Sequence, residues 1–275
     1  KTFIEMLKNN KLKISIIICT YQAEQHIKRC ISELKNILTD EIEVIFVDDG
    51  STDKTQKIIK NSNLKNLVLI NMKYNQGPSV ARNIGIKKSK GKYIAILDSD
   101  DTSHKDRLKL QSQFLDNNPL YSVVGSNVNV IKNEKKSSSI RPRSDKQIRS
   151  AIFSYFCFCH SSIMYRRSAY NKTKKYDSKI LYGEDYRLVA ELMKYGKVYN
   201  LRKFLVTKYE TNYNLTSKIS TLQFIKYALI NRIYVARVLN AGIKDYFLCF
   251  LGIIVVTVCK IFNLDKEKIR KYLKK

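Results

Sequence analysis

Three aspartates stand within four residues, directly after an apolar run. Asp98, Asp100 and Asp101 follow residues 94–97, which read Ile-Ala-Ile-Leu. A short run of this kind is typical of a buried strand, whose end would deliver the three side chains to the edge of a sheet. Carboxylates this close repel one another unless a cation or water separates them. Oxygen ligands suit hard divalent cations, so the cluster predicts a metal site that could also hold a diphosphate.

A fourth acid, Asp185, stands in the segment Gly183-Glu184-Asp185, ahead of a predicted helix over residues 186–195. A carboxylate within hydrogen-bond reach of a hydroxyl can take its proton while the oxygen forms a new bond. Asp185 is therefore a candidate general base. Capping of the following helix is the alternative role for this side chain.

Predicted strands alternate with predicted helices over the first hundred residues. Short β-branched runs predict strands over residues 13–20, 43–48, 67–71 and 93–97. Helical spacing and capping residues predict helices over residues 24–38, 53–61 and 79–88. The alternation predicts an α/β fold with a mostly parallel sheet flanked by helices, in which this half is Rossmann-like and binds a nucleotide. Ligands of such sheets bind at the carboxyl ends of the strands. The polar residues expected there are Thr20, Tyr21, Asp48, Asp49, Asp98, Ser99 and Asp100.

The pattern is less regular after residue 104. Apolar periodicity predicts helices over residues 107–116, 186–195 and 220–239. Strand-like segments occupy residues 121–131, 162–165, the surroundings of Val198, and residues 204–209. Residues 133–144 are basic and Ser-rich, which predicts a loop. We divide the chain into a catalytic domain over residues 1–210, with halves at about 13–104 and 105–210, and a helical C-terminal extension over residues 211–275.

The chain is strongly basic, with a net charge of +27 over 275 residues. The excess is densest in residues 186–275, which hold 18 Lys and Arg against 5 Asp and Glu. Anionic lipid and nucleic acid are both attracted to such a segment. The sequence has no basic strand motif with clustered aromatic residues, so we expect no nucleic-acid partner.

Residues 247–259 are almost entirely apolar, but these 13 residues fall short of the ~20 that a membrane-spanning helix needs. A buried core helix and an element on a membrane surface are the two interpretations. Flanking lysines favour the membrane surface, so we expect peripheral association with anionic membrane through the extension. The six cysteines suggest free thiols, and residues 1–13 lack the apolar run of a signal peptide. We therefore expect a cytoplasmic protein at the inner face of the cell membrane.

Five motifs follow one another in a set order. They read IIICTYQ at 16–22, VDDGSTD at 47–53, NQGPSVARNIG at 75–85, LDSDD at 97–101 and GED at 183–185. The set resembles the family 2 glycosyltransferases with the GT-A fold, over about residues 13–210. The resemblance implies an inverting glycosyltransferase of the hexosyl-transferring type, acting on a nucleotide diphosphate sugar that we expect to be a UDP-sugar. The acceptor would be a glycan or a lipid-linked molecule in surface polysaccharide biosynthesis.

On the donor side, the resemblance implies nucleotide-sugar contacts for Thr20, Tyr21, Glu24, Asp48, Asp49, Arg82, Asn83, Asp98 and Ser99. Asp48 or Asp49 would accept an N–H of the base, and Asn83 would support the loop of Arg82. Asp98 and Asp100 would hold the ribose and a Mn²⁺ or Mg²⁺ ion, which assists departure of the diphosphate. Judged from the residues alone, Arg82 could instead pair with an acid of the sheet edge.

On the acceptor side, the resemblance implies that Asp185 is the general base, with Glu184 beside it. His160 and Ser161 would shape the acceptor site, and a buried, hydrogen-bonded histidine is the alternative for His160. Family members often carry a His downstream of the base, whereas this chain has none there. The candidates for the third metal or phosphate ligand are Asn212, Asn214 and Lys218.

Two other classes of protein share parts of the pattern. A nucleotidyltransferase would use a similar sheet and metal site, but it normally carries a Gly-rich basic loop after its first strand, which residues 20–24 lack. A basic nucleic-acid-binding protein would bind oligonucleotides in a salt-sensitive way and would not need Asp185.

Overall fold

The structure is a computed structural model that describes residues 12–210 and 220–262. Its strands are β1 Ile14–Thr20, β2 Ile42–Asp48, β3 Leu67–Asn71, β4 Tyr93–Ile96, β5 Thr102–Ser103, β6 Tyr121–Lys132, β7 Lys135–Ser139, β8 Met164–Arg166 and β9 Lys197–Glu210. Its α-helices are α1 Ile27–Lys35, α2 Thr55–Lys60, α3 Pro78–Lys88, α4 Arg107–Asn117, α5 Asp145–Ala151, α6 Arg167–Tyr170, α7 Glu184–Met193, α8 Thr221–Val238 and α9 Ile243–Ile261. The strands form one sheet in the order β3-β2-β1-β4-β8-β6-β9-β5, with β7 paired to β6.

The first four strands form the parallel part of the sheet. Side chains of a strand alternate between its two faces. Both faces of β1, β2 and β4 are buried, whereas β3 at the edge of the sheet is partly exposed. Ile17 and Ile45 therefore join one apolar cluster, while Ile16 and Val44 join another. The predicted α/β fold with a parallel first half is confirmed, and β1, β2 and β4 end at the same edge of the sheet.

Beyond β4 the sheet is mixed. β8 lies between β4 and β6 and is antiparallel to both, whereas β6 and β9 are parallel. Ala95 pairs with Met164, so residues that follow β4 meet residues that precede β8. This register brings the 3-10 turn His160–Ser162 next to Asp98.

Two local predictions in this half were wrong. Residues 133–144 are not a loop throughout, because β7 pairs with β6 in a hairpin whose two-residue turn has positive φ at Asn133 and Glu134. Turns of this kind require positive φ at both positions, and the usual Asn-Gly signal is missing here. The strands expected near Val198 and over 204–209 form one strand, β9, because register shifts in its pairing with β6 accommodate the polar residues between them.

The two C-terminal helices pack onto the sheet domain. Val235 and Ala236 of α8 share an apolar cluster with Leu188 and Val189 of α7. One face of α9 is buried through Cys249 and Cys259, while other apolar side chains of the same helix are exposed. Residues 247–259 are thus partly core and partly surface. No helix within residues 12–210 and 220–262 is long and apolar enough to cross a membrane. Residues 211–219 lie outside the described ranges, and the domain division stays a prediction.

Candidate active site

The ends of β1 and β2 are joined through Asp48. Thr20 and Asp48 are paired in register, and Thr20 Oγ1 donates a hydrogen bond of 3.0 Å to Asp48 Oδ1. Asp48 also accepts from the backbone N–H and hydroxyl of Ser51, and from Gln56 Nε2 at 2.8 Å. Its carboxylate is fully buried. Asp48 therefore orders the turn after β2, with both oxygens already accepting hydrogen bonds.

Asp49 links that turn to α3. Its two oxygens accept the backbone N–H groups of Gln76 and Gly77, both at 2.8 Å. Burial raises the pKa of Asp49, although these two N–H groups work in the opposite direction. Gly77 has a φ of +90°, a conformation that favours glycine, and it immediately precedes the helix that carries Arg82.

Tyr21, Glu24 and Ser99 lie at the same edge with looser contacts. Tyr21 is 51% exposed. Glu24 accepts the backbone N–H of Lys54 and pairs with its Nζ at 3.4 Å. Ser99 Oγ lies 3.4 Å from His26 Nε2. These three side chains are at least partly accessible at the carboxyl edge of the sheet, where a bound nucleotide would contact them.

Arg82 connects the donor-side acid to the segment of the candidate base. Its Nη2 lies 3.2 Å from Asp98 Oδ1, and its Nη1 lies 2.6 Å from Glu184 Oε1. Burial opposes the charge, but Glu184 and Asp98 raise the pKa of Arg82 well above its usual value. Arg82 thus pairs with an acid of the sheet edge, the alternative that the residues alone suggested, and with a second acid that they did not reveal.

Asn83 faces the second half of the domain. Its Nδ2 donates to the carbonyl of Tyr176 at 2.8 Å, and its Oδ1 accepts from Tyr170 Oη at 2.8 Å and from the Tyr176 N–H. The residue supports the segment that ends near Tyr176, whereas the resemblance implied support of the loop of Arg82.

Asp98 is held by the turn that precedes β8. Ser161 Oγ donates to Asp98 Oδ2 at 2.9 Å and lies 2.5 Å from Asp101 Oδ2. His160 Nδ1 lies 3.6 Å from Asp98 Oδ1, and its Nε2 lies 2.9 Å from Tyr176 Oη. His160 and Ser161 therefore contact the acid cluster directly, and His160 is the buried, hydrogen-bonded histidine of the alternative interpretation.

The three clustered aspartates differ strongly in acidity. Burial alone would raise the pKa of Asp98, but His160, Arg82 and Ser161 outweigh it and hold that pKa well below its usual range. Burial, followed by the charge of Asp98, raises the pKa of Asp100 to about 6. Burial and both neighbours raise the pKa of Asp101 well above its usual value. Asp98 is therefore the ionised member of the group, and Asp100 is the member whose ionised form a bound cation would stabilise most.

The donor set suits a hard divalent cation. Within the described residues, the Asp100 carboxylate has no hydrogen bond or ion pair from another residue, so its oxygens are available. Mn²⁺ and Mg²⁺ prefer carboxylate oxygens and would relieve the repulsion between Asp98 and Asp100. No cluster of three or more His, Cys, Asp or Glu suited to a metal occurs in residues 12–210 and 220–262. Asn212, Asn214 and Lys218 lie outside the described residues.

Two positively charged side chains near the acid cluster, Arg29 and Lys208, were not predicted from the sequence. Arg29 Nη2 donates to the backbone carbonyl of Asp100 at 2.7 Å, and its guanidinium lies 3.5 Å from the ring centroid of Tyr209. Burial opposes the charge of Lys208, but Cys159, Asp101 and nearby acids outweigh it and raise its pKa. Lys208 could have been found in the sequence, because a lysine stands there within a predicted strand over residues 204–209. Nothing in the sequence distinguished Arg29 from the other polar residues of its amphipathic helix.

Asp185 lies in the first turn of α7, next to the Arg82 pair. Its Oδ1 accepts the N–H of Tyr186 at 2.7 Å, the one hydrogen bond of this carboxylate within the described residues. Burial, followed by the charge of Glu184, raises the pKa of Asp185. The N-cap position belongs to Gly183, so Asp185 does not cap the helix from Tyr186. A half-buried carboxylate with a raised pKa and few hydrogen-bond partners is suited to accept a proton.

Comparison with known proteins identifies the family of the chain. The family described as "Glycosyl transferase family 2" matches residues 15–173. An uncharacterized glycosyltransferase of Haemophilus influenzae is 30% identical over 219 residues, which cover 75% of this chain and 68% of that protein. The Staphylococcus aureus poly(ribitol-phosphate) beta-N-acetylglucosaminyltransferase TarS is 36% identical over 109 residues, 38% of this chain and 19% of TarS. The chain thus spans most of the Haemophilus protein and a small part of TarS.

Solved structures share the fold. TarS residues 1–349 in complex with UDP-GlcNAc match with a TM-score of 0.69 and 22% identity, covering 86% of this chain and 69% of that chain. The mannosyltransferase PcManGT of Pyrobaculum calidifontis, in complex with GDP-Man and Mn²⁺, matches with a TM-score of 0.61 and 12% identity, covering 95% and 78%. Because the family match covers residues 15–173 and the Haemophilus relative covers 75% of the chain, this protein belongs to glycosyltransferase family 2, has a GT-A-like fold and is a glycosyltransferase.

Proposed function

We propose that the enzyme transfers a sugar from a UDP-sugar to a hydroxyl of a glycan or lipid-linked acceptor, with inversion, in surface polysaccharide biosynthesis. The observation that carries the proposal is the bridge from Asp98 through Arg82 to Glu184. It joins the acid expected on the donor side to the segment that holds Asp185. The donor carbon and the proton acceptor can therefore lie within one site. TarS, a relative that is named for N-acetylglucosamine transfer, supports a UDP-sugar as donor.

Asp185 would remove the proton of the attacking hydroxyl. The acceptor oxygen forms a bond to C1 of the sugar as the bond from C1 to the diphosphate breaks, and the diphosphate leaves with the electron pair. The hydroxyl proton passes to an Asp185 oxygen. Attack opposite the leaving group inverts C1 in one step. The raised pKa of Asp185, caused by burial and by Glu184, makes it a stronger base than an ordinary carboxylate.

The diphosphate would be stabilised by charge. Asp98 and Asp100 would hold Mn²⁺ or Mg²⁺, which neutralises the diphosphate when bound. Arg82 pairs with Asp98, and the charge of Lys208 also acts on the acid cluster. Preorganised cations of this kind stabilise charge that develops on a leaving group.

Peripheral membrane association would bring the enzyme to a lipid-linked acceptor. The outer face of α9 exposes apolar side chains, among them Phe247 and Phe250 at 60% each. The surrounding C-terminal part of the chain is basic. An apolar face with nearby cations suits the interface of an anionic membrane.

Release of nucleoside diphosphate from a panel of UDP-, GDP- and TDP-sugars tests the proposal, with Mn²⁺ and without acceptor, so that water takes the sugar. We expect slow UDP release from a UDP-sugar, which Asp100→Asn abolishes and Asp106→Asn leaves unchanged. Asp106 is a good control because it is a half-exposed aspartate of the same segment, outside the acid cluster. Pyrophosphate release from a nucleoside triphosphate and a sugar phosphate would instead identify a nucleotidyltransferase. Failure to bind or hydrolyse any nucleotide sugar would overturn the proposal.

A further inference from the structure

The turn that leads into Asp185 is held from outside the sheet domain. α7 begins at Glu184, after Gly183 with φ of +83°, and no side chain within the described residues caps this helix start. The first backbone bond of the helix runs from the Arg187 N–H to the Gly183 carbonyl at 3.2 Å. The direction in which α7 presents Asp185 therefore depends on what fixes the Tyr182-Gly183 peptide.

Asn231 of α8 fixes that peptide. Its Nδ2 donates to the Tyr182 carbonyl at 2.7 Å. A Cβ placed on Gly183 would overlap the same Nδ2, so the amide can approach the turn only because residue 183 is glycine. Asn231 is 2% exposed, and a polar group so buried needs its partners.

The carbonyl oxygen of the Asn231 amide contacts α7 itself. Arg187 Nε donates to Asn231 Oδ1 at 2.6 Å. Arg187 also pairs with Asp177 Oδ2 at 3.0 Å, and its guanidinium lies 4.4 Å from the ring centroid of Tyr234 on α8. Arg187 is two residues from Asp185 on the same helix. The Asn231 side chain thus holds both the turn before Asp185 and α7, the helix that carries Asp185.

Only an amide satisfies both contacts. The carbonyl of Tyr182 needs a donor, and the Arg187 guanidinium needs an acceptor. Aspartate would keep the Arg187 contact but would set an oxygen against the Tyr182 carbonyl. Leucine would fill the space and lose both bonds. These two substitutions therefore separate the turn contact from the helix contact.

We propose that Asn231 is a positioning residue that sets the placement of Asp185, which makes the C-terminal extension a working part of the active site. This inference rests on the proposed role of Asp185 as the base. The strand-end residues proposed for the nucleotide, Thr20, Asp48 and Asp49, are held by contacts that do not involve Asn231, so UDP affinity should not change. Displacement of a catalytic group by about 1 Å can reduce the rate by about 100-fold.

The test compares Asn231→Asp and Asn231→Leu with Tyr234→Phe. The control removes another hydrogen bond between α8 and α7, from Tyr234 Oη to Glu191 Oε1 at 2.8 Å, and leaves Gly183 untouched. UDP affinity is measured with Mn²⁺ by calorimetry, and turnover by UDP release from UDP-N-acetylglucosamine or the best donor of the panel. We expect both Asn231 variants to lose about 10- to 100-fold in turnover while UDP affinity stays within about twofold. Tyr234→Phe should retain turnover.

A double substitution decides whether Asn231 acts through Asp185. In an Asp185→Asn background, Asn231→Asp should cause no further loss, because the group that it positions is already gone. An additive further loss, a parallel fall of turnover and UDP affinity, or native turnover in folded Asn231→Asp would each overturn the inference. If Asn231→Leu does not fold, Asn231→Asp, which keeps the Arg187 contact, still decides. No UDP binding by the native protein would overturn the proposed function itself, and that outcome is recognised without any variant.

Discussion

Arg82 and Glu184 form a buried ion pair across the site, with 2.6 Å between Nη1 and Oε1. The two residues are 102 positions apart in the chain. Since Arg82 also touches Asp98, and Glu184 adjoins Asp185, this one guanidinium couples the placement of the donor-side acid to that of the candidate base.

Substitution of Arg82 should affect stability and activity together. Arg82→Ala leaves Glu184 buried without its cation, which is expected to cost about 3 kcal/mol in the free energy of unfolding. Turnover should fall at least about 10-fold because both acids lose their common partner. Urea titration and UDP release measure the two effects.

Lys92→Ala is the control for Arg82. It removes an exposed pair with Asp116 at 2.8 Å, and exposed pairs contribute about 0–1 kcal/mol. Equal loss of stability in Arg82→Ala and Lys92→Ala would contradict the assignment of Arg82 as the central cation.

Asp100 should make metal-free stability depend on pH. Its folded-state pKa is raised from 3.8 to about 6, so between these values the folded state holds a proton that the unfolded state releases. Stability should therefore fall as pH rises through this window. Asp100→Asn should remove this dependence and stabilise the metal-free protein at pH 7, by an amount on the order of 1 kcal/mol.

Metal should reverse the effect of Asp100. Mn²⁺ should raise Tm more at pH 7, where Asp100 is ionised, than at pH 5, and it should raise the Tm of Asp100→Asn little. Thermal melts of the native protein, Asp100→Asn and Asp106→Asn at both pH values provide the comparison. An equal Mn²⁺ response in Asp100→Asn and the native protein would argue against Asp100 as a ligand.

The cysteines should be unreactive in the folded enzyme. All six are free thiols, and burial raises the pKa of Cys19 to about 12 and that of Cys159 to about 11. A thiol reacts as its thiolate, so Ellman's reagent at pH 8 should label the native protein slowly and all six sites in guanidinium chloride. Rapid labelling of several thiols in the native protein would show that these segments are less buried than described.

The exposed face of α9 should control binding to lipid. Combined Phe247→Ser and Phe250→Ser substitutions remove large apolar side chains that are exposed, so Tm should stay nearly unchanged while cosedimentation with phosphatidylglycerol vesicles declines. Leu222→Ser on α8 is a matched control, since Leu222 is 82% exposed and belongs to another helix. Neutral phosphatidylcholine vesicles should bind the native protein less well. Undiminished binding of the double variant would exclude this face as the lipid contact.

The donor half was accessible to sequence reasoning because its signals are local. β-branched runs predict the strands, and the residues after them, such as Thr20, Asp48 and Asp98, must then meet at one edge. The hairpin at Asn133 was missed for a local reason as well. Its second strand is polar and mostly exposed, so neither alternation nor an Asn-Gly turn indicated it.

The contacts that assemble the site were not accessible, because they join distant segments. The pairing register of β8 with β4 brings Ser161 within hydrogen-bond distance of Asp98. That register is set by packing between segments that are distant in the sequence. The family resemblance implied that Asn83 supports the loop of Arg82, but in the structure its side chain contacts Tyr176. Asn231 lies within an amphipathic helix and looks like an ordinary polar residue until α8 packs against the Gly183 turn.

The most direct test of the account is the turnover of Asp185→Asn at saturating donor. The substitution keeps the shape of the side chain and removes its ability to take a proton. We predict that UDP release falls about 100-fold or more, while UDP affinity with Mn²⁺ and Tm stay close to those of the native enzyme and of Asp106→Asn. Native turnover in a folded Asp185→Asn enzyme would contradict the assignment of Asp185 as the base.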